Sequence, residues 1–77
     1  MEYTKRPGLV QVSIDKLTLQ ELQELREFLR TQRILCIQSF GSTDKDGLEC
    51  FVALFTNGSI NKIDKWLGEH GAQEKGP

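Results

Sequence analysis

The chain is short of most of the residues that chemistry is built from. It has one histidine and two cysteines among 77 residues. Cys36 and Cys50 are too few for a disulfide framework, and neither belongs to a Cys-x-x-Cys pair. With His70 the single imidazole, a zinc site lacks a ligand set and a histidine general base lacks a nucleophile beside it, so no metal, cofactor or catalytic residue is expected. Charge of one sign is missing as well. Ten basic residues stand against eleven acidic ones, a net charge of −1, which gives no overall pull towards nucleic acid or anionic lipid. The longest apolar runs, "ILCI" and "CFVALF", fall far short of the roughly 20 residues that span a bilayer. "MEYTKRPG" has no signal-peptide core either. Sparse cysteine and these absences point to a reducing, intracellular (cytoplasmic) setting, where "NGS" at 57–59 reads as a turn into a helix rather than a glycan acceptor.

What is present is a single small domain. Residues 1–8, polar and ending in Pro7-Gly8, read as a flexible arm, and 71–77, "GAQEKGP", as a flexible tail. Between them, 9–70 carries the structure. "LVQVSI" alternates, with Val10, Val12 and Ile14 on one side, the pattern of a half-buried strand. In "LTLQEL", Thr18 and Glu21 have the spacing of a capping box, with Leu17 and Leu22 placed as its hydrophobic staple. Leu19, Leu22, Leu25, Phe28 and Leu29 then recur at helical steps through about residue 32. "ILCIQSF" (34–40) and "LECFVALF" (48–55) read as strands joined by the turn-rich "GSTDKDG" (41–47). A second helix follows, capped by Ser59, burying Ile60, Ile63, Trp66 and Leu67, and ended by Gly68 or Gly71.

This order, β-α-β-β-α, predicts a small two-layer α+β domain with a three-stranded mixed sheet. A split β-α-β arrangement places the strands in the order 1-3-2, like a ferredoxin-like fold truncated by its last strand; 1-2-3 is the alternative. The strand at 48–55 raises the functional question, because both of its faces are largely apolar. Pairing Phe40 opposite Leu48 puts Ile34, Cys36, Phe40, Leu48, Cys50, Val52 and Leu54 on one face, assigned to the helices. Leu35, Ile37, Phe51, Ala53 and Phe55 fall on the other, interrupted by Ser39 and Glu49. One arrangement packs the second helix on this face and makes a sandwich. In the other, which is preferred, both helices cover the first face, and this one is expected to meet a second copy or a protein partner. Leu35, Ile37, Phe51 and Phe55 are its expected apolar anchors, with Glu49 setting specificity. The expected role is a non-enzymatic interaction module, a regulator or inhibitor of a larger protein, acting as a homodimer or through a sheet face or edge. A domain this small can hardly wall a substrate pocket, so no small-molecule substrate is expected.

The alternative is nucleic acid. Arg26, Arg30 and Arg33 stand at i, i+4 and i+7, a basic ridge along the first helix that Lys5 and Arg6 can extend. The element order also resembles the RNA-recognition motif. In "GLECFVAL" (47–54), Cys50, Phe51 and Val52 match the small, aromatic and aliphatic positions of that family's third strand. The resemblance implies an RNA-stacking sheet with Phe51 beneath a base. Glu49 and Leu54 depart from it at aromatic positions and Gly47 at a basic one. "STDKDG" has no carboxylate where a calcium loop needs its bidentate Glu, and reads as a hairpin tip.

Overall fold

The structure, a computed structural model, describes residues 1–6 and 11–75. It is a two-layer α+β domain in which two helices lie on one face of a five-stranded mixed sheet. The elements run β1 (Glu2–Arg6), β2 (Gln11–Leu17), α1 (Leu19–Thr31), β3 (Cys36–Thr43), β4 (Glu49–Phe55), α2 (Ile60–Glu69) and β5 (Gln73–Glu74), in the sheet order β3-β4-β2-β1-β5. The predicted 1-3-2 order therefore survives as β2, β4 and β3. The sheet does not stop at three strands, and the truncated ferredoxin-like topology is not matched. Residues 2–6, read as arm, pair antiparallel with β2, and residues 73–74, read as tail, pair parallel with β1. Val10 and the Pro7-Gly8 turn lie outside the described residues.

Local chemistry explains the helix ends. Thr18 accepts the Glu21 N–H on its hydroxyl at 3.1 Å, while the Glu21 carboxylate accepts the Thr18 N–H at 2.9 Å, the capping box read from sequence. Its staple partners Leu17 and Leu22 are both buried. At the other end of α1, Arg33 donates to the Arg30 carbonyl and Ile34 to that of Leu29, with Arg33 in the left-handed region at φ 53°. That is a Schellman cap with arginine where glycine is the usual occupant. The end of α2 repeats the cap with glycine: Gly71 has φ 71°, and Ala72 donates to Leu67 at 2.9 Å. Ser59 stands at the N-cap of α2, but its side chain makes no capping bond. Its hydroxyl meets that of Thr56 at 3.0 Å, in the single 3₁₀ turn Asn57–Ser59 that precedes the helix.

The core lies between the layers. Val12, Ile14, Phe51, Ala53 and Phe55 on the sheet face Leu22, Leu25 and Leu29 of α1 and Ile63, Trp66 and Leu67 of α2. The register fixes which side of β4 this is, since Ile14 sits opposite Phe51 and Val12 opposite Ala53.

Candidate functional site: the open sheet face and the β3 edge

The register corrects the expected faces. Phe40 pairs with Val52, not Leu48, a slip of four residues that extends β3 to Thr43 and shortens the connection to a tight turn. Asp44 builds that turn. Its carboxylate accepts the N–H groups of Asp46 and Leu48 at 2.8 and 2.9 Å, and Gly47 takes φ 80°. A slip by an even number keeps Phe40, Cys50, Val52 and Leu54 on one face. That face, however, is the one away from the helices. Phe51 and Phe55, the expected partner anchors, are only 5% and 2% exposed, packed beneath α1 and α2. Neither can meet a partner, and Phe51 cannot stack on a base as the RNA-recognition motif requires. Glu49 shares their side of β4 and accepts the Thr43 hydroxyl across the hairpin at 3.0 Å, so it is a strand-end residue rather than part of an apolar contact face.

A bulge decides the rest. Cys36 sits opposite Phe55 but Gln38 opposite Leu54, so Ile37 is an extra residue on β3. Before the bulge, Cys36 faces the core; after it, Gln38, Phe40 and Ser42 face outward with Leu54, Val52 and Cys50. The two cysteines therefore lie on opposite faces, as free thiols whose pKa burial pushes up. Leu35 and Ile37 are 70% and 64% exposed and Phe40 is 61% exposed. Leu35 and Ile37 are exposed, as expected of them, and Phe40, Val52 and Leu54 take the outward face in place of Phe51 and Phe55. Parity hid this: in a strand apolar on both sides, only the neighbouring strand's register says which set is inside.

The open face is divided. Its β3–β4 half is apolar, with a shallow hollow of about 120 Å³ lined by Gln11, Gln38, Phe40, Val52, Ala53 and Leu54. Its β1–β2 half is charged. Glu2 pairs with Lys16 at 3.2 Å and with Lys75 at 2.8 Å, and Lys75 lies 3.7 Å from Asp15. Lys75 and then Lys16 hold the Glu2 carboxyl below its ordinary range.

The basic ridge comes apart. Arg26 and Arg30 are exposed on α1, but Arg33 has left the helix for its cap, so the three do not form one line. Arg30 is engaged by the Glu27 carboxylate, which raises its pKa further. Lys5 turns instead to Asp64 of α2, at 3.0 Å, which raises the Lys5 pKa. His70 is likewise absorbed by structure. Its Nδ1 lies 2.8 Å from the Trp66 carbonyl, its ring stacks on the indole at 3.9 Å, and Nε2 stands 3.7 Å from Glu24. Beside it a groove of about 400 Å³ between the helices is lined by Phe28, Gln32, Lys62, Lys65, Trp66 and Glu69. Among the described residues no group of His, Cys, Asp and Glu is placed to hold a metal, and no helix is long and apolar enough to cross a membrane. No family model, curated protein or solved structure matches the chain.

Proposed function

We propose that the protein is a small non-enzymatic interaction module that docks another protein on the open, apolar half of its sheet. One observation carries the reading: Phe40 stands 61% exposed beside the half-buried Val52 and Leu54 on the face away from the helices, with Leu35 and Ile37 also more than half exposed at the start of the same strand. Large apolar side chains grouped this way are uncommon on a surface with no partner. The adjoining hollow, at about 120 Å³, is well below the ~300 Å³ at which small-molecule sites begin, so a protein surface fits this face better than a substrate. A regulator or inhibitor of a larger protein is the role in keeping with that surface. Nucleic-acid binding, the alternative, keeps only Arg26 and a paired Arg30 on the helix, which is thin support.

The test is differential capture. The immobilised wild-type chain is expected to retain a defined protein that the Phe40→Asp and Leu54→Lys variants both lose, while Arg30→Glu retains it. Circular dichroism confirms that each variant is folded. If the retained protein is indifferent to both open-face substitutions, the reading is wrong.

A further inference from the structure

Beside the open face runs an edge that is bare in an unusual way. Among the described residues no strand pairs with the outer side of β3. Exposed edges are ordinarily protected by lysine, proline, inward-pointing charge or a bulge; the bulge at Ile37 interrupts only the start of β3, and Gln38–Thr43 beyond it pair with β4 in unbroken register. Residues 34–43, "ILCIQSFGST", hold no charge and no proline. The groups this edge offers can be named. Asp44 donates its N–H to the Leu48 carbonyl at 2.8 Å, closing the ladder to β4. Hydrogen-bonded pairs alternate along an antiparallel ladder, so Ser42, Phe40 and Gln38 also turn their backbone groups towards β4. Ser39, Gly41 and Thr43 turn theirs outward, and their side chains are too small to shield them.

The occupant that fits is a second copy of the chain. An antiparallel strand pairing with itself is two-fold symmetric, and it lays the start of one β3 beside the end of the other. The two ends of β3 carry opposite charge. Arg33 precedes the strand and the turn after it holds Asp44 and Asp46 around a single Lys45. Arg33 also keeps a left-handed backbone, φ 53°, that glycine adopts with less strain. A charge contact across the junction supplies a reason for arginine there. Face continuity requires the two-fold axis to pass where a residue meets its own copy, and Phe40, exposed near the middle of β3, is the position that joins the two apolar patches. With the axis at Phe40, Ser39 exchanges hydrogen bonds with Gly41 of the other copy. The two Phe40 rings meet in the non-hydrogen-bonded position, where cross-strand side chains come closest. The assembly stops at two, since the opposite edge is occupied by β5 over Glu2–Tyr3 and carries Lys5 and Arg6 beyond it.

We infer that the chain forms a two-fold dimer by β3–β3 edge pairing, giving one continuous ten-stranded sheet with the apolar patches of both copies joined at its centre. The inference rests on the interaction-module reading and names its first partner.

The test uses the whole chain. Sedimentation equilibrium from micromolar to millimolar concentration is expected to show a monomer–dimer equilibrium. Ser39→Pro, which removes an outward N–H that the fold does not use, is expected to leave a folded monomer. Leu54→Lys, on the open face but one strand in, stays dimeric even though it fails the capture test above; that contrast separates failure of the edge pairing from failure of the face. Arg33→Gly is expected to hold or raise fold stability while weakening the dimer about tenfold, the reverse of a purely structural role. In a Cys36→Ser, Cys50→Ser background, Phe40→Cys is expected to cross-link to itself on mild oxidation, since the paired Cα atoms fall within disulfide range, and Ser42→Cys is not. A monomer throughout, a dimer indifferent to Ser39→Pro, open-ended association, or a dimer that Phe40→Cys fails to cross-link would each overturn the proposal.

Discussion

The two edges of this sheet solve the same problem in opposite ways. At the β1 edge the chain returns at its C-terminal end to add two residues of parallel strand: Gln73 donates to the Met1 carbonyl at 3.1 Å and Lys75 to that of Tyr3 at 2.8 Å. Ion pairs then fasten the seam, Lys5 to Asp64 and Glu2 to Lys16 and Lys75. Among the described residues the β3 edge has no covering strand, and it carries no charge within its length. Sealing one edge therefore takes only a handful of residues, which makes the bareness of the other informative.

An aromatic residue sits at each edge, and comparing them gives the largest expected effect. Tyr3 lies opposite Ile14 and packs partly buried against the core, whereas Phe40 stands exposed. Tyr3→Ala is expected to destabilise by about 1–3 kcal/mol, less than a fully buried aromatic would lose. Phe40→Ala, at concentrations low enough for single chains, is expected to stay within about 0.5 kcal/mol. Urea unfolding with an unchanged slope measures both. Equal losses would mean that the β3 edge is covered after all and the contrast is false.

Next in size is the charge at the sealed edge. The Lys5 and Asp64 side chains are each about one-third exposed, and Glu74 lies 4.0 Å from the same ammonium. A partly solvated pair of this kind contributes roughly 0.5–1 kcal/mol, and salt screens it. A double-mutant cycle of Lys5→Ala with Asp64→Ala should return a coupling in that range at low salt and less in 1 M salt. The same salt step should leave amide exchange along β3 unchanged in the monomer. A coupling of zero would assign the seam to backbone pairing alone.

Sequence patterning made α1 legible almost to the residue, because its capping box and leucine stripe are local signals that agree with each other. The 1-3-2 order of the central strands was one of two orders that the sequence left open, and pairing of β4 with both β2 and β3 decides between them. Three features were not legible. The strand "EYTKR" is half-buried at four consecutive positions, Glu2 to Lys5, so it has no alternation to separate it from a polar arm. β5 is two polar residues held by backbone bonds, which leave no mark in composition. The side of β4 that faces inward was hidden because Cys50, Val52 and Leu54 and the opposing Phe51, Ala53 and Phe55 are both apolar sets. The aromatic set goes inside, since two phenylalanines remove more area from water than the alternatives, and Ile14 and Val12 stand beside them. Leu35 and Ile37 were legible as exposed; the bulge that turns Phe40 outward while Cys36 faces the core was not, because nothing in "LCIQS" announces an extra residue.

The smallest effect is a pH-dependent loosening confined to the sealed edge, and its sign follows from Glu2. Lys75 first, and then Lys16, hold the Glu2 carboxyl below its ordinary value of 4.5 in the folded chain. A carboxyl lowered by folding contributes stability that is fully present above the unfolded value and is lost as pH falls through the folded one. The seam should therefore hold at neutral pH and loosen below about pH 4.5, as Glu2 is protonated and releases Lys75 from the end of β5. Hydrogen exchange localises the change. The amides of Gln73 and Lys75, which donate to Met1 and Tyr3, should lose protection across that window in the wild-type chain. In Glu2→Gln they should be less protected at neutral pH and show little further change on acidification. Identical acid profiles in the two chains would mean that Glu2 does not latch β5. The difference between the edges would then reduce to one short strand, with charge playing no part in it.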